Sequence, residues 1–156
     1  MAARKTRKGP SPGRPLPRGG ARARHVPEEP RLDRSGRTAL VGMFTAAGVI
    51  HVWVSLATPE VYAGFAETSP WTWVQDAWQR WYVPNTVPAS IALAVFQFAV
   101  AGLLLVGGRA ALIGLAAGAV FTAVLVAFGW WYLLWSVPVI ALMAWLALRT
   151  DQRIRG

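Results

Sequence analysis

Residues 110–148 read AALIGLAAGAVFTAVLVAFGWWYLLWSVPVIALMAWLAL, 39 residues without a charged side chain. As one helix this run would be about 58 Å long at about 1.5 Å per residue, nearly twice a hydrocarbon core about 30 Å thick. It therefore has to fold back as two spans. Gly129 offers the helix stop, and Trp130, Trp131, Tyr132 and Trp135 suit an aromatic belt around the turn. These become the third and fourth spans of the chain, at about 110–128 and 131–149, with Pro138 either kinking the fourth or sitting in its first turn.

Working back from this hairpin, TVPASIALAVFQFAVAGLLLVGG (86–108) is a second uncharged run, closed by Arg109, and gives a span at about 87–108. TALVGMFTAAGVIHVWVSLAT (38–58) is another, of 21 residues. That is longer than the core of a secretory signal, about 7–15 residues, so it is read as a retained first helix. The predicted fold class is all-α: a polytopic integral membrane four-helix bundle (37–149) with a disordered basic N-terminal tail and a short C-terminal tail at 150–156.

Composition agrees. Apolar residues make up 54% and charged residues 15% of the chain, where soluble domains average about 25% charged. Eleven of the sixteen Lys and Arg fall in the first 37 positions. Residues 1–36 are rich in Pro, Gly, Arg and Lys and lack the apolar mass that offsets ordering entropy, hence the expected disorder. Their expected partner is anionic lipid headgroups rather than nucleic acid, at about 1 kcal/mol per basic residue near the surface; the plainer alternative is a solvated tail. Four spans put both termini on one side. The tail, Arg109, Arg149, Arg153 and Arg155 share that side, opposite Arg80, Glu60, Glu67 and Asp76. The positive-inside rule then predicts a multi-pass plasma-membrane protein with both termini cytoplasmic.

The outer connection, 59–86, is the longest. Ser69 and Pro70 suggest a helix start and Pro84 its limit. Trp71, Val74, Trp78 and Trp81 recur at helical spacing, which predicts a short amphipathic helix lying on the leaflet or capping the bundle. Aromatic anchoring at the interface explains these tryptophans; a ring-binding platform for carbohydrate or quinone is the sharper alternative.

Chemistry in the spans has few carriers. No Cys is present, which excludes thiol catalysis and thiolate metal sites. No Asp, Glu or Lys falls inside a predicted span, which disfavours proton-coupled export and a di-metal carboxylate bundle. No catalytic residue, metal site or resident cofactor is assigned, and the reading leans away from an enzyme. His51 and Gln97 form the candidate polar pair, about 5 Å apart in depth on antiparallel neighbours. Ala47, Gly48 and Ser55 share the His51 face. A hydrogen bond joining the two helices is one reading of the pair; a ligand site is the other. Gly114, Gly118 and Thr122 repeat every fourth residue, a pattern for close helix crossing within the monomer or in a homodimer.

Gly48-x-x-His51, followed by Pro59-Glu60-x-Tyr62-x-x-Phe65, resembles the opening of DoxX-like membrane proteins. The run Gly102-Leu103-Leu104-Leu105 before Arg109 resembles the end of that family's second span. The likeness covers roughly 37–128 and implies four spans and a redox-linked role, with a quinone or similar apolar ligand near His51, supported by Ser55, Glu60 and Arg109. Two departures stand out: Tyr62 replaces the pattern's Phe, and Gln97 stands where the family often carries an acid. Against this stands a non-catalytic accessory or scaffold subunit that binds a partner membrane protein through small-residue helix faces.

Overall fold

The computed structural model describes residues 31–155, and every regular element among them is helical. The elements are α1 (Arg31–Ala57), α2 (Thr72–Ala77), α3 (Thr86–Val106), α4 (Gly108–Leu125) and α5 (Trp131–Arg155). Shorter 3-10 turns occupy Pro59–Gly64, Val83–Asn85 and Val126–Phe128, and a π turn occupies Trp78–Tyr82.

Four helical runs are long and apolar enough to cross a membrane: Arg31–Ala57, Thr72–Val106, Gly108–Phe128 and Trp131–Arg155. Their outward faces carry Val49, Ile50, Trp53, Val95, Ile113, Val120, Leu134 and Val137, each more than half exposed. Water does not tolerate so much contiguous apolar surface, and lipid does. The chain is a multi-pass, all-α membrane bundle.

The breaks between spans follow glycine. Gly107 and Gly108, at φ 81° and 56°, turn the chain between α3 and α4 in the left-handed region that side chains avoid. The turn therefore lies at Gly107, and Arg109, expected to close the second span, stands exposed in the first turn of α4 instead. Gly129 makes the second break, between α4 and α5, as predicted. Pro138 lies in the interior of α5 and not in its first turn.

Helix α1 lies chiefly against α3 and α5 against α4, while contact between α3 and α4 joins the two pairs. Glycines set the close approaches. A Cβ on Gly114 would stand 3.0 Å from Leu103 Cβ and 3.3 Å from the Val100 carbonyl. One on Gly118 would stand 2.9 Å from Phe44 Cζ and 3.1 Å from Met143 Cε. One on Gly48 would stand 2.7 Å from the Phe98 ring. The Gly114-Gly118-Thr122 stripe is thus used inside the monomer.

Both chain ends behave differently from expectation. Residues 1–30 of the expected tail lie outside the described residues. Residues 31–36, assigned to that tail, form the start of α1, because they have something to bury: Asp33 is 3% exposed and ion-paired with Arg153 of α5. Asp33 in a first turn and Arg153 in a last turn also complement their helix dipoles. The C-terminal tail expected from 150 is likewise helical through Arg155. The Arg37 guanidinium reaches the Gly107 turn. The termini and the α3–α4 turn therefore share one end of the bundle, called here the base; the opposite end is the crown.

Candidate functional site

The bundle is solid at the base and hollow toward the crown. Leu40, Phe44, Val100, Ala101, Leu104, Leu115, Met143 and Leu146 form the packed core, all from the base halves of their helices. Above them α1, α3, α4 and α5 enclose a cavity of about 340 Å³. Met43, Phe44, Ala47 and His51 line it from α1, Leu93 and Gln97 from α3, and Phe121, Thr122, Val124 and Leu125 from α4. Tyr132 and Trp135 of α5 and Tyr62, Phe65, Trp78, Tyr82 and Phe128 close it at the crown.

That closure is built by the long connection, which caps the bundle. The predicted amphipathic helix is observed later and shorter, as α2, and Pro84 does not end it. The π turn and the following 3-10 turn carry helical backbone past the proline into α3, so 72–106 is one interrupted rod. Ser69 does not cap α2 directly. Its hydroxyl accepts the Trp71 N–H at 3.2 Å and donates to the Ala127 carbonyl at 2.6 Å. Thr68 Oγ1 donates to the Phe128 carbonyl at 2.8 Å, which clamps the connection to the α4–α5 turn. Trp78 Nε1–H donates to the Tyr62 carbonyl at 2.7 Å and Gln79 Nε2–H to the Ala63 carbonyl at 2.7 Å.

Trp78 is therefore part of the cavity lid and not of the exposed belt: its indole stacks on Tyr82 at 3.7 Å and 9°, and on Phe65 at 5.2 Å. Trp135 is 39% exposed and also lines the cavity. Trp71, Trp81, Trp130 and Trp131 are exposed, as interfacial anchors should be.

The expected His51–Gln97 hydrogen bond is not formed. His51 Nδ1 pairs with the Tyr62 hydroxyl at 2.7 Å, with the rings stacked at 5.9 Å. The Tyr82 hydroxyl pairs with Ser90 Oγ at 2.7 Å. Burial pushes the Tyr62 phenol above its ordinary 10.0, opposed by hydrogen bonding from Ser90, so it keeps its proton at neutral pH. Gln97 is 2% exposed, lines the cavity, and its Oε1 has no hydrogen-bond partner. His51 and Gln97 line the same cavity, but the phenol of Tyr62, brought over by the Pro59–Gly64 turn, takes the imidazole.

The other predicted residues divide. Ala47 lines the cavity. Gly48 packs under Phe98, and Gly114 and Gly118 serve helix crossings. Thr122 lines the cavity, donates to the Gly118 carbonyl at 2.8 Å, and its own carbonyl accepts Ser136 Oγ–H at 3.3 Å. Ser55 does not support His51: its hydroxyl donates to the Val52 carbonyl at 3.0 Å. Glu60 is exposed outside the cavity and Arg109 is exposed at the base. Missed from sequence were Tyr62, Phe65, Tyr82, Phe128 and Tyr132 as cavity walls. The signal was present in part, since Tyr82 follows Trp78 by one helical turn and Tyr62 and Phe65 stand one turn apart.

Among the described residues no group of three or more His, Cys, Asp or Glu is placed to hold a metal ion. The cavity walls include no carboxylate, lysine or thiol. Fold and site together define a four-span membrane bundle enclosing an aromatic cavity with isolated polar groups. No protein-family model matches the chain, and neither curated proteins nor solved structures provide a match.

Proposed function

We propose that this chain is a non-catalytic plasma-membrane protein that holds a ring-bearing apolar ligand, a quinone or a molecule of that class, in the cavity near His51. It does so alone or as an accessory subunit of a larger membrane assembly. The observation that carries this reading is the cavity itself. Small-molecule sites are typically about 300–1,000 Å³, largely apolar, with a few convergent polar groups, and the 340 Å³ cavity lined by aromatic rings, His51 and Gln97 has that make-up. Water fills it poorly, because each buried water needs about three polar partners. Of the residues that carry the DoxX-like resemblance, His51 and Phe65, with Tyr62 in place of the pattern's Phe, stand at this cavity, while Gly48 and Glu60 do not.

Binding is preferred to catalysis because the walls carry no carboxylate, amine or thiol, and the one general-base candidate, His51, has its Nδ1 engaged by the Tyr62 hydroxyl. The accessory-subunit reading loses its small-residue faces, since Gly48, Gly114 and Gly118 already meet neighbours within the chain. Cytoplasmic placement of the base rests on charge. Arg31, Arg34, Arg37, Arg109, Arg149, Arg153 and Arg155 belong to that end and Arg80 to the crown. The same arginines suit an anionic inner leaflet.

The test is solvent extraction of protein purified in mild detergent, followed by mass spectrometry. Wild-type protein should release a ring-bearing lipid-soluble compound near one per chain. Ala47→Phe, which fills the cavity from α1, should release less than a tenth of that. Absence of such a compound, together with no uptake of an added short-chain quinone, refutes the reading.

A further inference from the structure

Resting on the cavity reading above, we propose that within that ligand class the cavity prefers the hydroxylated (quinol or phenol) ring over the carbonyl-only (quinone) ring. The preferred ring carries an apolar tail, is taken from the bilayer, and donates a hydrogen bond from its hydroxyl to Gln97 Oε1. The polar inventory of the cavity leads there. Tyr62 takes His51 Nδ1, Tyr82 is held by Ser90, and Thr122 spends its proton on the Gly118 carbonyl, while the second imidazole nitrogen, the Tyr132 hydroxyl and the Trp135 indole N–H stand on the same lining. Among the cavity-lining residues, Gln97 is the one with a fully buried side-chain oxygen, Oε1, that has no hydrogen-bond partner, on a side chain only 2% exposed. An acceptor in that position asks for a donor, and a buried acceptor left unmet is penalised more than an ordinary hydrogen bond is rewarded. A ligand carrying only ether or carbonyl oxygens leaves Oε1 as it is. An alcohol or phenol completes it.

The walls specify the rest of the molecule. The rings of Phe121, Phe128, Tyr132 and Trp135 line the same cavity as the amide and suit a flat ring by edge and face contacts. The volume of 340 Å³ equals that of about eleven liquid waters, enough for a ring and not for a long chain. The tail must leave the cavity. The crown is shut by the Tyr62–Trp78–Tyr82 stack and by the Ser69 and Thr68 clamps on the α4–α5 turn. The cavity-lining residues Val124 and Trp135, by contrast, are 55% and 39% exposed on spans that face lipid. The tail therefore runs sideways into hydrocarbon, and the ligand arrives by the same route.

The experiment uses the full chain in lipid nanodiscs, with three probes that differ only at the ring substituent: 4-dodecylphenol, its methyl ether, and the matching aryl methyl ketone. Binding is read from tryptophan fluorescence, since Trp78 and Trp135 line the cavity. The phenol is expected to bind about tenfold more tightly than the ether, the value of one retained hydrogen bond. In Gln97→Leu the ratio should fall to about one, with Gln97→Met as a second variant that keeps an unbranched chain without the acceptor. Equal binding of phenol and ether to wild type, both lost in Ala47→Phe, refutes the hydroxyl selection while the cavity reading stands. A ketone that binds as tightly as the phenol, or a phenol preference that survives in both Gln97 variants, overturns the role of Oε1. No binding of any probe to wild type removes the cavity reading and this proposal with it.

Discussion

Adding one methyl group at three glycines gives a sharp check on the packing. Gly42, Gly48 and Gly118 are all helical, and in each case Ala for Gly should gain about 0.8–1.0 kcal/mol of helix propensity. What the methyl meets differs. At Gly42 nothing lies within 4 Å, so the whole gain should be realised. At Gly48 the new Cβ falls 2.7 Å from Phe98 Cε1, a clash on its face, but Phe98 is 40% exposed toward lipid and its ring can swing away. The expected net is near zero. At Gly118 the methyl falls 2.9 Å from Phe44 Cζ and 3.1 Å from Met143 Cε, and those side chains are 2% and 1% exposed in the packed core. Neither has anywhere to go, so an overpacking cost of about 1–3 kcal/mol outweighs the propensity gain. Gly118→Ala should lose about 1 kcal/mol while Gly42→Ala gains nearly as much. Unfolding of the three variants in graded SDS–detergent mixed micelles, followed by tryptophan fluorescence, reads the order directly. Gly118→Ala at or above the stability of Gly42→Ala would show that α1, α4 and α5 do not meet at Gly118.

Asp33→Ala should destabilise the bundle by about 2 kcal/mol, less than the 3–5 expected for a fully buried pair, because the Arg153 side chain is 39% exposed. A double-mutant cycle with Arg153→Ala should return a coupling of at least about 0.5 kcal/mol, and strict additivity would remove the pair as a clasp between α1 and α5. Tyr62 has a raised native pKa, so the native state keeps its proton where the unfolded chain has lost it. Its contribution is therefore intact below about pH 10 and declines as pH climbs from 10.0 toward the native value. Tyr62→Phe should flatten that alkaline loss, and an unchanged alkaline slope would contradict the buried phenol. Single His51→Leu and Gln97→Leu changes should add within about 0.5 kcal/mol, since no bond joins the two side chains; coupling beyond that would contradict the separate environments. Alkaline phosphatase fused after Gln75 should be active, and after Arg109 or Gly156 inactive; activity at Gly156 would place the base outside.

The spans were legible because the signal is coarse. A run of 39 uncharged residues cannot cross once, and one glycine suffices to mark its turn. Boundaries were less legible where tertiary contacts decide them. Arg31 to Gly36 looks like a solvated tail in composition, yet Asp33 finds Arg153 more than a hundred positions away and the helix begins there. Pro84 looks like a stop, yet it sits at the start of a 3-10 turn, where a missing donor is tolerated, and the backbone stays helical into α3. Depth along neighbouring helices brought His51 and Gln97 together but could not say which hydrogen bonds they make. That depended on how the 59–85 connection folds over the crown, and no periodicity in that segment announces Tyr62 as the imidazole's partner. Trp78 was assigned by residue type to the interface, where most membrane tryptophans belong; the stack on Tyr82 is a consequence of the same fold-over.

The polar atoms within the spans also bear on why a glutamine stands at position 97. Ser55 and Thr122 return their hydroxyl protons to carbonyls of their own helices, Ser136 to the Thr122 carbonyl, and Ser90 pairs with Tyr82. Asp33, at the base, has Arg153. Among the described residues this leaves Gln97 Oε1 as the buried side-chain oxygen with neither a hydrogen bond nor an ion pair. A leucine there would fill similar volume and remove a penalty of about 1–3 kcal/mol. Stability alone therefore argues against the amide. A group that costs stability where an apolar one would serve is the mark of a site, and inside a membrane that inference is at its strongest, because no solvent stands ready to satisfy the orphan. Gln97→Leu should accordingly raise the unfolding free energy of the ligand-free protein while lowering its retention of a hydroxylated ligand. Measuring both on one preparation separates a site from a packing accident: a variant that loses stability without any change in ligand retention would make Gln97 a structural residue after all.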